Sequence, residues 1–338
     1  MSEANTALLE QGARNAVETC LAVQSTDRVC VITDQETQVI GGALADASRQ
    51  AGAAVETLTL EDFGERPLIN LPDALRDSIQ RSGPTCSFYA AASKKGEISF
   101  RIQLLPWLVH TLKVRHGHMP GITTDLMTEG MLADYDEVSR VTSHVAEIVR
   151  PARQTRVRSA KGSDIVAQFS PDLRWVPCPG LYRQQGTWGN LPEGEVFTSP
   201  ARVDGVLTVD ELGDYFSEQY GVLDHPVTFR IEDSIAIEIT SENAALANEL
   251  AGYLDSSENG RRVGEFAIGT NTALTRLVGN LLQDEKFPGV HVAFGNPYPD
   301  ETGATWRASV HVDTIPTGCD IDVDGRPLMR AGRFLFDA

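Results

Sequence analysis

The sequence predicts an α/β protein, with a Rossmann-like N-terminal domain built on a parallel sheet and a mixed α+β C-terminal domain. Three observations carry that prediction. Arg28–Thr33 and Ala53–Leu60 are apolar, strand-like runs on either side of a helical stretch at 37–51, which is the strand-helix-strand unit of a parallel sheet. After Pro151 the pattern changes to short strands and turns. The chain has 338 residues, 41% of them apolar, enough to fill two cores of ordinary size. The division falls at 153/154, giving domains 1–153 and 154–338.

Taken in order, residues 5–23 place Leu8, Leu9, Ala13, Ala16, Val17, Cys20 and Leu21 at helical spacing ahead of the first strand. Gly52 ends the second helix. The turn after the first strand, Thr33-Asp34-Gln35-Glu36, lacks the glycines that let a pyrophosphate approach the backbone, so dinucleotide binding is rejected there. A further strand is expected near 85–92, and a helix near 131–149 carries Leu132, Tyr135, Val138, Val141, Val145 and Ile148. Between them Arg115–Gly121 reads as a loop. Its His116-x-His118 spacing suits a surface turn or a substrate-contacting lid better than metal ligation. Downstream come strands at 205–210, 227–231 and 235–240, the last two joined at Glu232-Asp233-Ser234. Helices are expected at 242–256 and 272–283, then two histidine-bearing strands and an Asp324-Gly325 hairpin.

A formal charge of −18 argues against a nucleic-acid groove or an anionic membrane surface. The N-terminus has no signal-peptide pattern, and no run approaches the ~20 apolar residues of a membrane span, so a cytoplasmic protein is expected. Cys20, Cys30, Cys86, Cys178 and Cys319 are odd in number and widely spaced, which predicts buried thiols rather than disulfides or a cysteine zinc site.

The chemistry gathers in the C-terminal half. In Val310-His311-Val312-Asp313 alternation puts His311 and Asp313 on one face of a strand, about 7 Å apart along the backbone. Val290-His291-Val292 offers a second histidine between apolar neighbours. Glu195 and Glu265 each follow a glycine into a short apolar strand, and either alone would usually be solvated. Together they complete three carboxylates and two imidazoles, the donor set that two neighbouring divalent ions need, with one carboxylate able to bridge. Zn²⁺, Co²⁺, Mn²⁺ or Fe²⁺ would suit, and such a centre performs metal-assisted hydrolysis.

These segments resemble the M29 (aminopeptidase T) family of metallo-aminopeptidases. The similar stretches are Pro192–Pro200, Gly264-Glu265, Asp284-Glu285 ahead of His291–Gly295, Tyr298-Pro299, His311-Val312-Asp313 and the Gly162-Ser163-Asp164 turn. The likeness covers roughly 156–334 and is only topological before that. By resemblance Glu195, Glu265, His291, His311 and Asp313 hold two divalent metals, Zn, Co or Mn. Glu285 and Tyr298 lie beside them; Glu285 or Glu265 handles the proton and Tyr298 stabilises the oxyanion. The implied substrate is a short peptide or a related small amide, and the implied assembly a homodimer.

The chain also resembles, more distantly, the related 2,5-dihydroxypyridine dioxygenases, in Val157–Asp164 and in His-x-Asp near the end. A ring-cleaving dioxygenase needs one Fe(II), which His291, His311 and Asp313 alone supply. Glu195 and Glu265 have no use as ligands there, so their presence favours the hydrolase. A third reading, a non-catalytic metal-binding protein, leaves the full set with Tyr298 unexplained.

Overall fold

The computed structural model describes residues 3–336. It contains two compact units: residues 3–139 with Gly180–Glu193, and Arg140–Pro179 with residues 194–336. The helix Tyr135–Val149 runs from the first into the second, because Val141, Val145, Ala146 and Val149 on its later turns join the second unit's core.

The first unit is a five-stranded, wholly parallel sheet in the order Ala54–Thr59, Arg28–Thr33, Cys86–Ala91, Arg115–Pro120 and Trp188–Asn190. Cys30, Ile32, Tyr89 and Ala91 pack with Leu75, Ile79, Phe100 and Leu104 of the helices Asp73–Ser82 and Ile98–Pro106. Residues 115–120, expected as a loop, form a buried strand instead. It lies between two neighbours that take up its backbone hydrogen bonds, and its two histidines are buried against Ser87 and each other. The turn after the first strand is filled from within. Asp34 accepts from the Thr37 and Ala92 amides and pairs with buried Arg66, whose other face holds Glu97.

The second unit carries two antiparallel sheets. Eight strands run in the order Ile235–Thr240, Val227–Glu232, Arg202–Val209, Asp164–Gln168, Gln154–Ser159, Cys319–Val323, Arg326–Arg330 and Arg333–Phe334. Six more run Glu211–Leu212, His311–Ile315, Gly289–Gly295, Val263–Gly269, Glu195–Thr198 and Val176–Cys178. One core joins them: Val157, Ile165, Leu207 and Phe229 from the first sheet, Val196, Phe266, Ile268, Val292, Phe294 and Val312 from the second, and Leu246, Leu250 and Leu254 from the helix Ala244–Asp255. The six-stranded sheet thus presents one face to the core and leaves the other for polar groups.

The helix expected at 272–283 shrinks to Leu281–Asp284. Asp284 explains the difference: its Oδ2 accepts from the amides of Val278, Gly279 and Asn280 at 2.8, 2.7 and 3.1 Å, wrapping the segment around a carboxylate instead of into helical turns. Among the described residues no disulfide forms; Cys20, Cys30, Cys86 and Cys319 are buried and Cys178 is half-buried. No described helix is long and apolar enough to cross a membrane.

Candidate metal centre

Register across the six-stranded sheet brings the five predicted ligands onto one face. Directly opposed residues of antiparallel strands point the same way, and so do residues two apart on a strand. Glu265 opposes Ala293, which opposes Asp313; Ala267 opposes His291; Gly295 opposes His311; and Gly269 opposes Glu195. The intervening positions on that face are Ala267, Ala293, Gly269 and Gly295, and the two glycines admit neighbouring backbone, since a Cβ would meet the Phe287 carbonyl at 2.0 Å over Gly269 and the Val310 carbonyl at 2.1 Å over Gly295. On the reverse face Phe266, Ile268, Val292, Phe294 and Val312 are core.

The side chains converge in three groupings, Glu195–Glu265–His291, Glu265–His311–Asp313 and Glu285–His291–Asp313, each with its ligand atoms within 4.8 Å of one another. Glu265 faces both imidazoles: Oε1 is 3.4 Å from His291 Nε2 and Oε2 is 3.6 Å from His311 Nε2. Asp313 Oδ1 stands 3.4 Å from His311 Nε2 and 3.9 Å from His291 Nε2. Glu195 Oε2 lies 3.4 Å from His291 Nε2 and is buried with no hydrogen-bond partner.

These separations fit a cation better than direct hydrogen bonds. Two ligands ~2.1 Å from one ion at a tetrahedral angle stand about 3.4 Å apart. The His311 Nδ1 proton goes to the Asn296 carbonyl at 2.9 Å, which leaves Nε2 as the nitrogen that faces the carboxylates and would face a metal. A buried Glu195 oxygen without a donor and a nitrogen–oxygen donor set together match a divalent metal.

The electrostatics show how much positive charge the pocket calls for. Burial pushes both imidazoles toward neutrality, yet the Glu265 hydrogen bond with the Glu195 and Asp313 charges raises His291 to about 9, and Asp313 and Glu265 raise His311 to about 10. Burial acts to raise Asp313, but His311 beside it holds the carboxyl down at about 2. Burial raises Glu265 despite both histidines, and raises Glu285 to about 8 against the pull of Lys286. Protons on the histidines serve where cations would, so a metal must displace them.

Glu285 joins the third grouping and forms an ion pair with Lys286. Tyr298 sits at the N-terminus of the short helix Pro299–Thr302 in the left-handed region, φ 48°, a conformation unusual for a bulky residue. Its ring lies 4.7 Å from that of His311 and edge-on to Phe197. Although 39% of Tyr298 is exposed, its hydroxyl is desolvated and lies in the field of Glu265, Asp313, Glu285 and Glu195, which together hold it well above the ordinary phenol range. His116 and His118 belong to none of the groupings.

Two further groups escaped sequence reasoning. Lys286 is fully buried, with Nζ 2.7 Å from Glu195 Oε1 and 2.7 Å from Glu285 Oε1. Glu211 is fully buried and faces Asp284; as two carboxylates neither satisfies the other, and both Glu211 oxygens and Asp284 Oδ1 lack donors. In the sequence both residues sit in short charged runs that read as solvated, and only burial distinguishes them.

The family model for thermophilic metalloprotease (M29) matches residues 123–323. Among solved structures, wild-type AmpT from Thermus thermophilus aligns with a TM-score of 0.73 at 21% identity over 98% of this chain and 99% of its own. The 2,5-dihydroxypyridine dioxygenase from Pseudomonas putida KT2440 aligns with a TM-score of 0.70 at 16% identity over 98% of both chains. At those identities the two share the fold with this chain. No curated protein matches.

Proposed function

The chain belongs to the M29 family of thermophilic metalloproteases, and on that premise we propose that it is an aminopeptidase-like hydrolase working at a dinuclear site. One observation carries the dinuclear reading: Glu265 turns one oxygen to His291 and the other to His311, so a single carboxylate serves two loci. Glu195 and His291 complete one locus, His311 and Asp313 the other, and the substrate is a peptide with a free N-terminus or a related small amide.

Divalent ions at these loci would polarise the scissile carbonyl and lower the pKa of water. The protein's own groups do the rest. With both Glu265 oxygens engaged, the proton falls to Glu285, whose raised pKa near 8 suits a base that accepts a proton from water and passes it to the leaving amine. Tyr298 donates its O–H toward the oxyanion that develops on the carbonyl. The Asn296 carbonyl fixes the His311 tautomer and ring plane.

Glu195→Gln and Glu265→Gln test this directly. Each should abolish release of aminoacyl anilides and lower the bound metal from two ions toward one; unchanged activity and stoichiometry in both would refute the dinuclear assignment. Anaerobic reconstitution with Zn²⁺, Co²⁺, Mn²⁺ and Fe²⁺, assayed in parallel on dihydroxypyridines with O₂ uptake, covers the other chemistry of the fold. Turnover that requires Fe²⁺ and O₂ would overturn the hydrolase reading.

A further inference from the structure

Lys286 is the one ammonium group among the ion pairs of this carboxylate cluster in the described residues, and its position is built rather than incidental. The strand Val263–Gly269 ends at Gly269, opposite Glu195. A Cβ there would stand 2.0 Å from the Phe287 carbonyl oxygen and 2.8 Å from the Lys286 carbonyl carbon, so glycine is what lets the 286–287 backbone lie against the strand. The Asn271 amide donates to the Lys286 carbonyl at 3.1 Å and tethers it there. Nζ then reaches Glu195 Oε1 and Glu285 Oε1, 2.7 Å from each, with no solvent access to the side chain. Held this way, Nζ keeps those two oxygens as its acceptors.

We propose that Lys286 makes the two metal loci unequal: it occupies one oxygen of Glu195 and one of Glu285, so that the Glu265–His311–Asp313 locus fills first and the Glu195–His291 locus binds a second ion weakly. This rests on the dinuclear reading above. The charge count gives the physical reason. Four carboxyl groups, Glu195, Glu265, Glu285 and Asp313, gather around the single Lys286 ammonium, so a first divalent ion that displaces the histidine protons is strongly attracted. The second enters a locus with one Glu195 oxygen already engaged, next to an ammonium and to the first ion. Lys286 is therefore a positioning residue, setting what Glu195 offers to metal.

The test is calorimetric titration of chelator-stripped, full-length protein with Co²⁺ alone, so that no turnover is needed. In wild type two dissociation constants at least tenfold apart are expected. Lys286→Met should tighten the weaker at least tenfold and move the tighter less than threefold, while Lys286→Arg keeps the wild-type pair. Glu195→Gln should remove the weaker step and spare the tighter. A weaker constant that is unchanged or loosened in Lys286→Met, in protein that still melts cooperatively, overturns the role of the lysine alone. Should Lys286→Met fail to fold, loss of the tighter step in Glu195→Gln overturns the proposed order by itself. A wild type that binds no Co²⁺ overturns the metal reading and this inference with it.

Discussion

Replacing Glu211 by glutamine isolates a proton that the folded protein is built to hold. Glu211 is fully buried, and Asp284 Oδ2 already takes three backbone amides, leaving Oδ1 without a donor. One proton on Glu211, donated to Asp284, supplies the donor that Asp284 Oδ1 lacks and removes the repulsion between two buried carboxylates. Burial, then the charges of Asp284, Glu285 and Asp313, push the Glu211 carboxyl from its ordinary 4.5 up to about 10. The folded state therefore keeps a proton that the unfolded chain releases above pH 4.5. Stability from this group is full below that pH, falls as pH rises, and is lost once pH passes the folded value near 10. Within that window one proton's difference is worth about 1.4 kcal/mol per pH unit, so up to about 2.7 kcal/mol separates pH 6 from pH 8. A glutamine side chain at this position would carry its own N–H toward Asp284 and remove the dependence. Urea unfolding of metal-stripped wild type and Glu211→Gln at pH 6, 7 and 8 should show wild type losing stability relative to the variant at each step. Parallel profiles would mean that Glu211 is ionised in the folded protein, and the shared-proton account would be wrong.

Tyr298→Phe should lower kcat by about 10²- to 10³-fold with metal content unchanged, since removing one oxyanion donor costs that much in other enzymes; an unaltered kcat on an aminoacyl anilide would leave Tyr298 a packing residue. Arg66→Met strands buried Asp34 and Glu97, and should cost about 3–5 kcal/mol in thermal or urea unfolding, while an Asp34→Asn, Glu97→Gln, Arg66→Met triple variant recovers much of that loss. Gly269→Ala should cost about 1–3 kcal/mol and disturb metal binding as well, because the added methyl meets the Phe287 carbonyl at 2.0 Å and pushes the Lys286 backbone away. Wild-type stability with intact Co²⁺ binding would show that this close approach is not needed.

The readable parts of the site were those whose chemistry has a local period. His311 and Asp313 share a face because strands alternate, and His291 stands out as a polar residue in the buried run Gly289–Gly295. Glu195 and Glu265 were weak alone and gained weight from completing a donor set with His291, His311 and Asp313 and from the resemblance of their flanking segments. Helix and strand periodicity found the parallel beginning at Arg28–Thr33 and Ala54–Thr59 but misread 115–120 as a loop, since glycine and proline there signal turns while pairing on both sides imposes a strand. It also extended a helix over 272–280, where side-chain acceptance by Asp284 overrides propensity.

By itself, then, the sequence determined the α/β order and the two histidine strands, because both depend on spacing within a few residues. Tertiary structure decided the rest. Only cross-strand register puts Glu195, Glu265, His291, His311 and Asp313 on one face with alanine and glycine between them. Only burial turns the charged runs at 210–211 and 284–286 from solvated surface into a facing carboxyl pair, Glu211 and Asp284, and an ammonium held by Glu195 and Glu285. The physical reason is the same in both cases: what a charged side chain does is set by the groups that replace its water, and the groups that replace it here come from strands far apart in the chain.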